Sequence, residues 1–139
     1  MDHRQWVWTI PKVLRSALRR DRKLLGELCR CAGQTLREYL EAALGPGYTP
    51  GASFAIQTWG DPFNGHPHIH AWVSDRAWIQ DGVPSPFGGI DSAVLSRLFQ
   101  QNVLDMMVAQ RRLSPQFAQQ LRSWQHSGFA GLWWPPRRT

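Results

Sequence analysis

The spacing of hydrophobic residues divides the chain into short strands and amphipathic helices. Alternation of apolar and polar residues is typical of a half-buried strand, whereas apolar residues three and four positions apart are typical of a helix. Residues 5–10 alternate, with Trp6, Trp8 and Ile10 on one face, and Pro11 ends this predicted strand. The other predicted elements are a basic helix over 12–20, a longer helix over 21–44, strands over 52–59 and 66–74, a helix after Asp91 and a final helix from Ser114.

Two of the predicted strands, 52–59 and 66–74, are separated by a short segment of turn-forming residues. Residues 60–65 read Gly-Asp-Pro-Phe-Asn-Gly, and residues of these types connect neighbouring antiparallel strands. Elsewhere strands and helices are mixed without a regular alternation of the two. The pattern therefore predicts an α+β fold, in which helices pack on a mainly antiparallel sheet.

Length and composition are those of a single folded domain. The chain has 139 residues, of which 42% are hydrophobic, and a domain of this size buries a substantial core. No stretch approaches the roughly 20 apolar residues that a membrane-spanning helix needs. The basic N-terminal region also lacks the apolar centre of a signal peptide. We therefore expect a cytoplasmic protein with no membrane partner.

Charge, rather than cysteine content, points to a partner. Cys29 and Cys31 lie two positions apart on a predicted helix, where side chains diverge, so neither a disulfide nor a zinc site is expected. The net charge is +6, and basic residues are concentrated in the N-terminal quarter of the chain. Such a cluster favours a polyanion, usually nucleic acid. The candidate DNA-binding residues are Arg15, Arg19, Arg20, Arg22 and Lys23.

The segment His66-Pro67-His68-Ile69-His70 carries the candidate chemistry. Alternate side chains of a strand lie on one face, so the imidazoles of His68 and His70 can reach one metal ion. Gln57, on the neighbouring predicted strand, offers an amide oxygen as a third ligand, and Asp61 in the turn is a weaker candidate. His66 is assigned instead to a supporting or DNA-facing role, because Pro67 disturbs the strand beside it.

Several segments, taken in order, resemble one family of proteins. The core is Ala-Ile-Gln-Thr-Trp-Gly-Asp at 55–61, followed by Asn-Gly-His-Pro-His-Ile-His-Ala-Trp-Val-Ser-Asp at 64–75. Residues 5–12 and 123–129 add to the similarity. Together they resemble the rolling-circle insertion-sequence transposases of the two-tyrosine HUH superfamily, which is named after its His-hydrophobic-His motif. The resemblance covers about residues 4–129.

The resemblance implies a metal-dependent activity on single-stranded DNA. It implies that His68, His70 and Gln57 hold Mg²⁺ or Mn²⁺, which polarises the scissile phosphate of the DNA for attack by a tyrosine. It also implies a bacterial protein, associated with the nucleoid when DNA-bound, without a small-molecule substrate. Single strands are bound by basic grooves and aromatic platforms. Trp72, which shares the histidine face, is the best stacking candidate.

The chain departs from the family pattern in its tyrosines and its C-terminal end. The family's nucleophilic tyrosines follow the histidine motif, whereas Tyr39 and Tyr48 both precede it. Neither is therefore assigned as catalytic. Residues 130–139 show no periodic pattern, and we expect an irregular tail, out of frame, after an incomplete transposase core over residues 1–129. The chain alone is then expected to be inactive.

Other functions remain open from the sequence. A small nuclease would use a metal-activated water in place of the tyrosine, and a non-enzymatic DNA-binding remnant would need no metal. A zinc hydrolase of small molecules is the least favoured, because the Asp-His pair that usually follows its His-x-His motif is absent.

Overall fold

The computed structural model describes residues 3–57, 67–86, 88–124 and 128–134. Its strands are β1 (His3–Thr9), β2 (Thr49–Gln57), β3 (His68–Trp78), β4 (Ser85–Pro86) and β5 (Ala130–Trp134). Its helices are α1 (Lys12–Arg20), α2 (Lys23–Leu44), α3 (Ser92–Ala109) and α4 (Pro115–Ser123).

The strands form one antiparallel sheet in the order β2-β3-β1-β5, and the short β4 pairs with the end of β3. Helices α2 and α3 pack against the sheet and against each other. This arrangement confirms the predicted α+β class.

Local sequence signals set the ends of the helices. The side chain of Asp91 accepts hydrogen bonds from the backbone N–H groups of Ala93 and Val94, which caps the start of α3. Ser114 caps α4 in the same way by accepting from Phe117, and Pro115 occupies the first helical position. Helix α2 ends at Gly45, whose φ of 96° is favourable for glycine.

The core lies between the sheet and the two long helices. Trp6 and Trp8 are 0% and 1% exposed, and the Trp8 ring lies 5.2 Å from that of Phe99 on α3. Leucines of α2 complete this layer, among them Leu28, Leu36 and Leu40. Burial of these side chains supplies the main stabilising free energy of the fold.

The strands differ from the predicted ones mainly in length. β2 begins at Thr49, before the predicted residue 52, because a register shift between Pro50 and Ala52 lets the strand continue past the proline. β3 continues to Trp78, four residues beyond the predicted end at 74. The predicted strand residues 58, 59 and 66 lie outside the described residues.

The expectation of an irregular tail is wrong for residues 130–134. They form β5, which pairs with β1 from Ala130 opposite Thr9 to Trp134 opposite Gln5. A strand at the edge of a sheet is held by backbone hydrogen bonds to its neighbour, and it needs no alternating pattern of its own.

In the described part of the chain, no helix combines the length and the apolar character that crossing a membrane requires.

Candidate functional site

The two faces of β3 differ completely in their surroundings. Ile69, Ala71 and Val73 lie under the helices and are at most 1% exposed. His68, His70 and Trp72 alternate with them and therefore lie on the opposite side of the sheet. We call this second side of the sheet the open face. The two histidines share it as the sequence predicted.

The imidazoles of His68 and His70 lie close together on the open face. Their ring centroids are 4.8 Å apart and the ring planes are inclined by 63°. Both rings extend from a single strand in a central position of the sheet, which fixes their position relative to each other.

His70 is fixed by a contact from β1. The side-chain amide nitrogen of Gln5 lies 3.1 Å from Nδ1 of His70. The other ring nitrogen, Nε2, is shielded from solvent and has no hydrogen-bond partner among the described residues. The indole nitrogens of Trp6 and Trp8 are also buried without a partner there, but an indole N–H can only donate. An imidazole nitrogen can also bind a metal ion.

Burial lowers the pKa of His70 below its ordinary value, and the neighbouring His68 lowers it further. Burial acts because the charged imidazolium is poorly solvated there, and His68 acts because a second positive charge would lie close by. Both effects favour neutral imidazole, which is the form that binds a metal ion.

Gln57 lies where the sequence-based prediction requires. In the pairing of β2 with β3, Gln57 is directly opposite His68, and on the other side Thr9 of β1 is opposite the same residue. Directly opposed residues in an antiparallel pair have Cβ atoms about 5 Å apart and side chains on the same face. The exposed Gln57 amide therefore lies beside the first imidazole of the pair.

Among the described residues, the candidate ligands named from the sequence on the open face are the two imidazoles and the Gln57 amide. Within the described ranges, no three His, Cys, Asp or Glu side chains are grouped closely enough to hold a metal ion. His66 and Asp61, the other candidates from the sequence, lie outside the described residues. The unpartnered nitrogen of His70 is the observation that fits a bound ion, and water would complete its coordination.

Trp72 continues the row of side chains on the open face. Its ring is 6.5 Å from that of His70, and 51% of its surface is exposed. A groove of about 600 Å³ lies beside it. Trp72, Phe54 and small residues of β2 line this groove, together with His3 at its end. An exposed indole beside a groove presents a flat surface on which a nucleobase can stack.

The basic residues follow directly from the histidine end of the sheet. Thr9, opposite His68, is the last residue of β1, and α1 begins at Lys12. Arg15 is partly buried there and donates from Nη2 to the Ile10 carbonyl at 3.2 Å. Burial and the nearby Arg19 lower the pKa of Arg15, although an arginine stays charged at neutral pH. The side chains of Arg19, Arg20, Arg22 and Lys23 are exposed.

Neither tyrosine of the chain lies near the histidine pair. The Tyr39 hydroxyl accepts a hydrogen bond of 2.9 Å from the backbone N–H of Asp91, in the helical layer. Tyr48 precedes β2 at Thr49, whereas the pair lies beside the opposite end of that strand, at Gln57.

Gln5 contacts the candidate site, and the sequence alone did not indicate this contact. The alternation of Trp6 and Trp8 placed Gln5 on the opposite face of β1, but nothing in the local sequence identified β3 as the neighbouring strand. Such non-local strand pairing is not encoded in the hydrophobic periodicity of either strand.

No family model, no curated protein and no solved structure matches the chain.

Proposed function

We propose that this domain binds a divalent metal ion and single-stranded DNA, as the core of a rolling-circle transposase of the HUH type. The observation that carries the proposal is the pairing of two close imidazoles on the open face with an unpartnered nitrogen on His70. The proposed activity is inferred from the resemblance of the histidine segment to the HUH motif. The net charge of +6 agrees with a nucleic acid partner.

The metal ligands in this proposal are His68, His70 and Gln57. Imidazole suits transition ions, whereas amide and water oxygens suit Mg²⁺ and Mn²⁺ alike. The mixed set therefore favours Mn²⁺ over Mg²⁺. The bound ion would supply polarisation of a phosphate oxygen. Burial and the neighbouring His68 lower the pKa of His70 and so favour its neutral form. The strand that carries both rings fixes their relative position.

The DNA in this proposal crosses the open face beside Trp72. One unpaired base stacks on its indole ring, and the backbone phosphates extend toward the exposed basic residues of α1 and the following turn. Stacking on an aromatic side chain tolerates any base, since every base has a π face. Recognition of unpaired rather than duplex DNA follows, because a base inside a duplex is already stacked on both sides.

In this proposal the chain forms no covalent link to DNA through its own tyrosines. Tyr39 is engaged in the helical layer, and Tyr48 lies toward the other end of β2. Their placement favours the activated-water nuclease as the second candidate function. That reaction would hydrolyse one phosphodiester bond, which leaves a 5′-phosphate on one fragment and a 3′-hydroxyl on the other, and the protein stays unmodified.

A combined binding and cleavage assay tests the proposal. Purified protein is titrated with Mn²⁺, then incubated with an end-labelled single-stranded oligonucleotide and resolved on a denaturing gel. One bound Mn²⁺ and DNA binding without adduct or cleavage support the proposed core. Free cleavage products that require both histidines support the second candidate. A covalent adduct contradicts the assignment of both tyrosines, and the absence of Mn²⁺ binding contradicts the metal site.

His3→Ala is the matched control for the histidine variants. His3 is also a histidine of the sheet, but it pairs with Ser74, six positions along β3 from His68. At about 3.3 Å per residue this separation is roughly 20 Å. Its loss should leave Mn²⁺ binding unchanged.

A further inference from the structure

Among the described residues, Gln5 is the one side chain within hydrogen-bond distance of a ring nitrogen of His70. In the sheet register Gln5 is opposite Trp72, and Val7 is opposite His70. The Gln5 amide therefore reaches diagonally across the open face to Nδ1, over the 3.1 Å that separates the two nitrogens. Diagonal neighbours on antiparallel strands are within reach of long side chains.

This contact has two chemically distinct forms. The oxygen and nitrogen of a glutamine amide exchange places by a half-turn, and their assignment follows from the hydrogen-bond network. In one form the amide N–H donates to Nδ1, and the proton of the neutral ring is then on Nε2. In the other, the amide oxygen accepts from Nδ1–H, and Nε2 carries a lone pair.

The surroundings of Nε2 distinguish these two forms. Nε2 is shielded from solvent without a partner among the described residues. The first form would leave an N–H donor buried and unsatisfied, whereas the second leaves a lone pair that a metal ion can accept. A ligating imidazole is neutral, and the hydrogen bond made by its other nitrogen determines which nitrogen is free to coordinate.

We propose that Gln5 is a positioning residue of the metal site: its amide oxygen accepts from Nδ1–H of His70 and so directs the lone pair of Nε2 to the ion. The metal part of this statement rests on the proposed function. The tautomer part is measured on the metal-free protein, separately from metal binding. Removal of a partner of this kind typically costs 10–100-fold in metal affinity.

Variants that change only the hydrogen-bonding character of residue 5 test the proposal. Gln5→Met keeps the length of the side chain but makes no strong hydrogen bond, and it should weaken Mn²⁺ binding by about 10–100-fold. Gln5→Glu can only accept, and it should keep Mn²⁺ affinity within a few-fold of wild type. Rescue by Glu distinguishes acceptance of a hydrogen bond from simple packing.

Ser53→Ala is the matched control. Ser53 of β2 is opposite Trp72 on one side, as Gln5 of β1 is on the other. Both residues thus occupy the same register position on the open face. This variant should bind Mn²⁺ as wild type does. Equal losses in Gln5→Met and Ser53→Ala would overturn the proposal, since they would indicate a general disturbance of the face.

The tautomer is measured directly by ¹⁵N NMR of the imidazole in metal-free protein, with His70→Ala used to assign the signals. The proposal predicts a protonated Nδ1 and a bare Nε2 in wild type and Gln5→Glu, and loss of this preference in Gln5→Met. A protonated Nε2 in wild type overturns it. The two proposals can fail separately. If Gln5→Met leaves Mn²⁺ affinity unchanged, Gln5 has no positioning role, whereas the metal site stands. If the tautomer depends on Gln5 but Mn²⁺ does not bind, the metal site is contradicted, whereas the hydrogen bond from Nδ1–H to Gln5 is supported.

Discussion

Neighbouring residues of β3 occupy opposite environments. Ile69, Ala71 and Val73 are enclosed by the helical layer, whereas the side chains between them lie on the open face, where Trp72 keeps 51% of its surface exposed. One face of the same strand therefore stabilises the fold, and the other is available for chemistry. Successive side chains of a strand point to opposite faces, so substitutions on one face can change stability while substitutions on the other change binding.

The same contrast holds on β1. Trp6 and Trp8 are buried, and the Trp8 ring packs against Phe99 of α3 and Phe54 of β2. Gln5 and Val7 alternate with them on the open side. Both central strands thus hold their candidate site residues in place through buried neighbours one residue away. A ligand site built on such strands is held more rigidly than one on a loop.

The largest expected effect compares two tryptophans, one on each face. Trp8→Ala removes a ring packed 5.2 Å from Phe99 and 6.1 Å from Phe54, and it should lower the free energy of unfolding by about 3–5 kcal/mol. Trp72→Ala removes an exposed ring and should lower it by less than about 1 kcal/mol. Urea denaturation measures both. Equal losses would contradict the division into a stabilising and an open face.

The second effect is on DNA binding, for which substitutions on the open face should matter most. Trp72→Ala should weaken binding of a single-stranded oligonucleotide by about 1–3 kcal/mol, because one base loses its stacking partner. Trp72→Phe retains a ring and should recover part of that loss. The control is Trp78→Ala, also on β3 but at the far end of the strand from the histidines. Unchanged affinity in Trp72→Ala would contradict the stacking of a base on Trp72.

The basic residues after β1 should give a smaller, salt-dependent effect. Each phosphate contact that is lost reduces the slope of log affinity against log salt by about 0.7 for a single strand. Arg20→Ala should therefore reduce the slope by about that amount, while Arg37→Ala on the exposed side of α2 should leave it unchanged. Affinity measured over a series of salt concentrations gives the slope. A salt-independent affinity would exclude phosphate contacts.

The smallest effect concerns the buried thiol of Cys31 in helix α2. Burial, with smaller contributions from Glu27 and Asp105, raises the pKa of Cys31 to about 12. The folded state therefore favours the protonated thiol, and this contribution to stability is lost as pH rises from 9.0 toward about 12.

At about pH 8, Cys31 should accordingly resist alkylation in the native protein and react only after unfolding in urea. Mass spectrometry of the labelled peptides measures the extent of reaction. Rapid native labelling would show that the helical layer opens readily around this residue.

The sequence predicted those parts of the fold that depend on local signals. The bounds of α1, the caps at Asp91 and Ser114 and the hairpin of β2 and β3 all follow from residue spacing or turn chemistry. The common face of His68 and His70, and the position of Gln57 beside it, follow from the same periodicity. Their role as metal ligands stays a prediction.

Contacts between distant segments were beyond the reach of these signals. β5 pairs with β1 more than a hundred residues away in sequence, and Gln5 contacts His70 across 65 residues. Both depend on which strands are neighbours in the sheet, which neither strand encodes alone. The missed site residue and the missed strand therefore have one physical cause.

The most direct test of the central claim is a Mn²⁺ titration of wild type, His68→Ala, His70→Ala and His3→Ala, followed by electron paramagnetic resonance of the free ion. The open-face site predicts one bound Mn²⁺ in wild type and in His3→Ala, and no stoichiometric binding in either of the other two variants. Stoichiometric Mn²⁺ retained by both His68→Ala and His70→Ala would contradict the assignment of the metal to this pair.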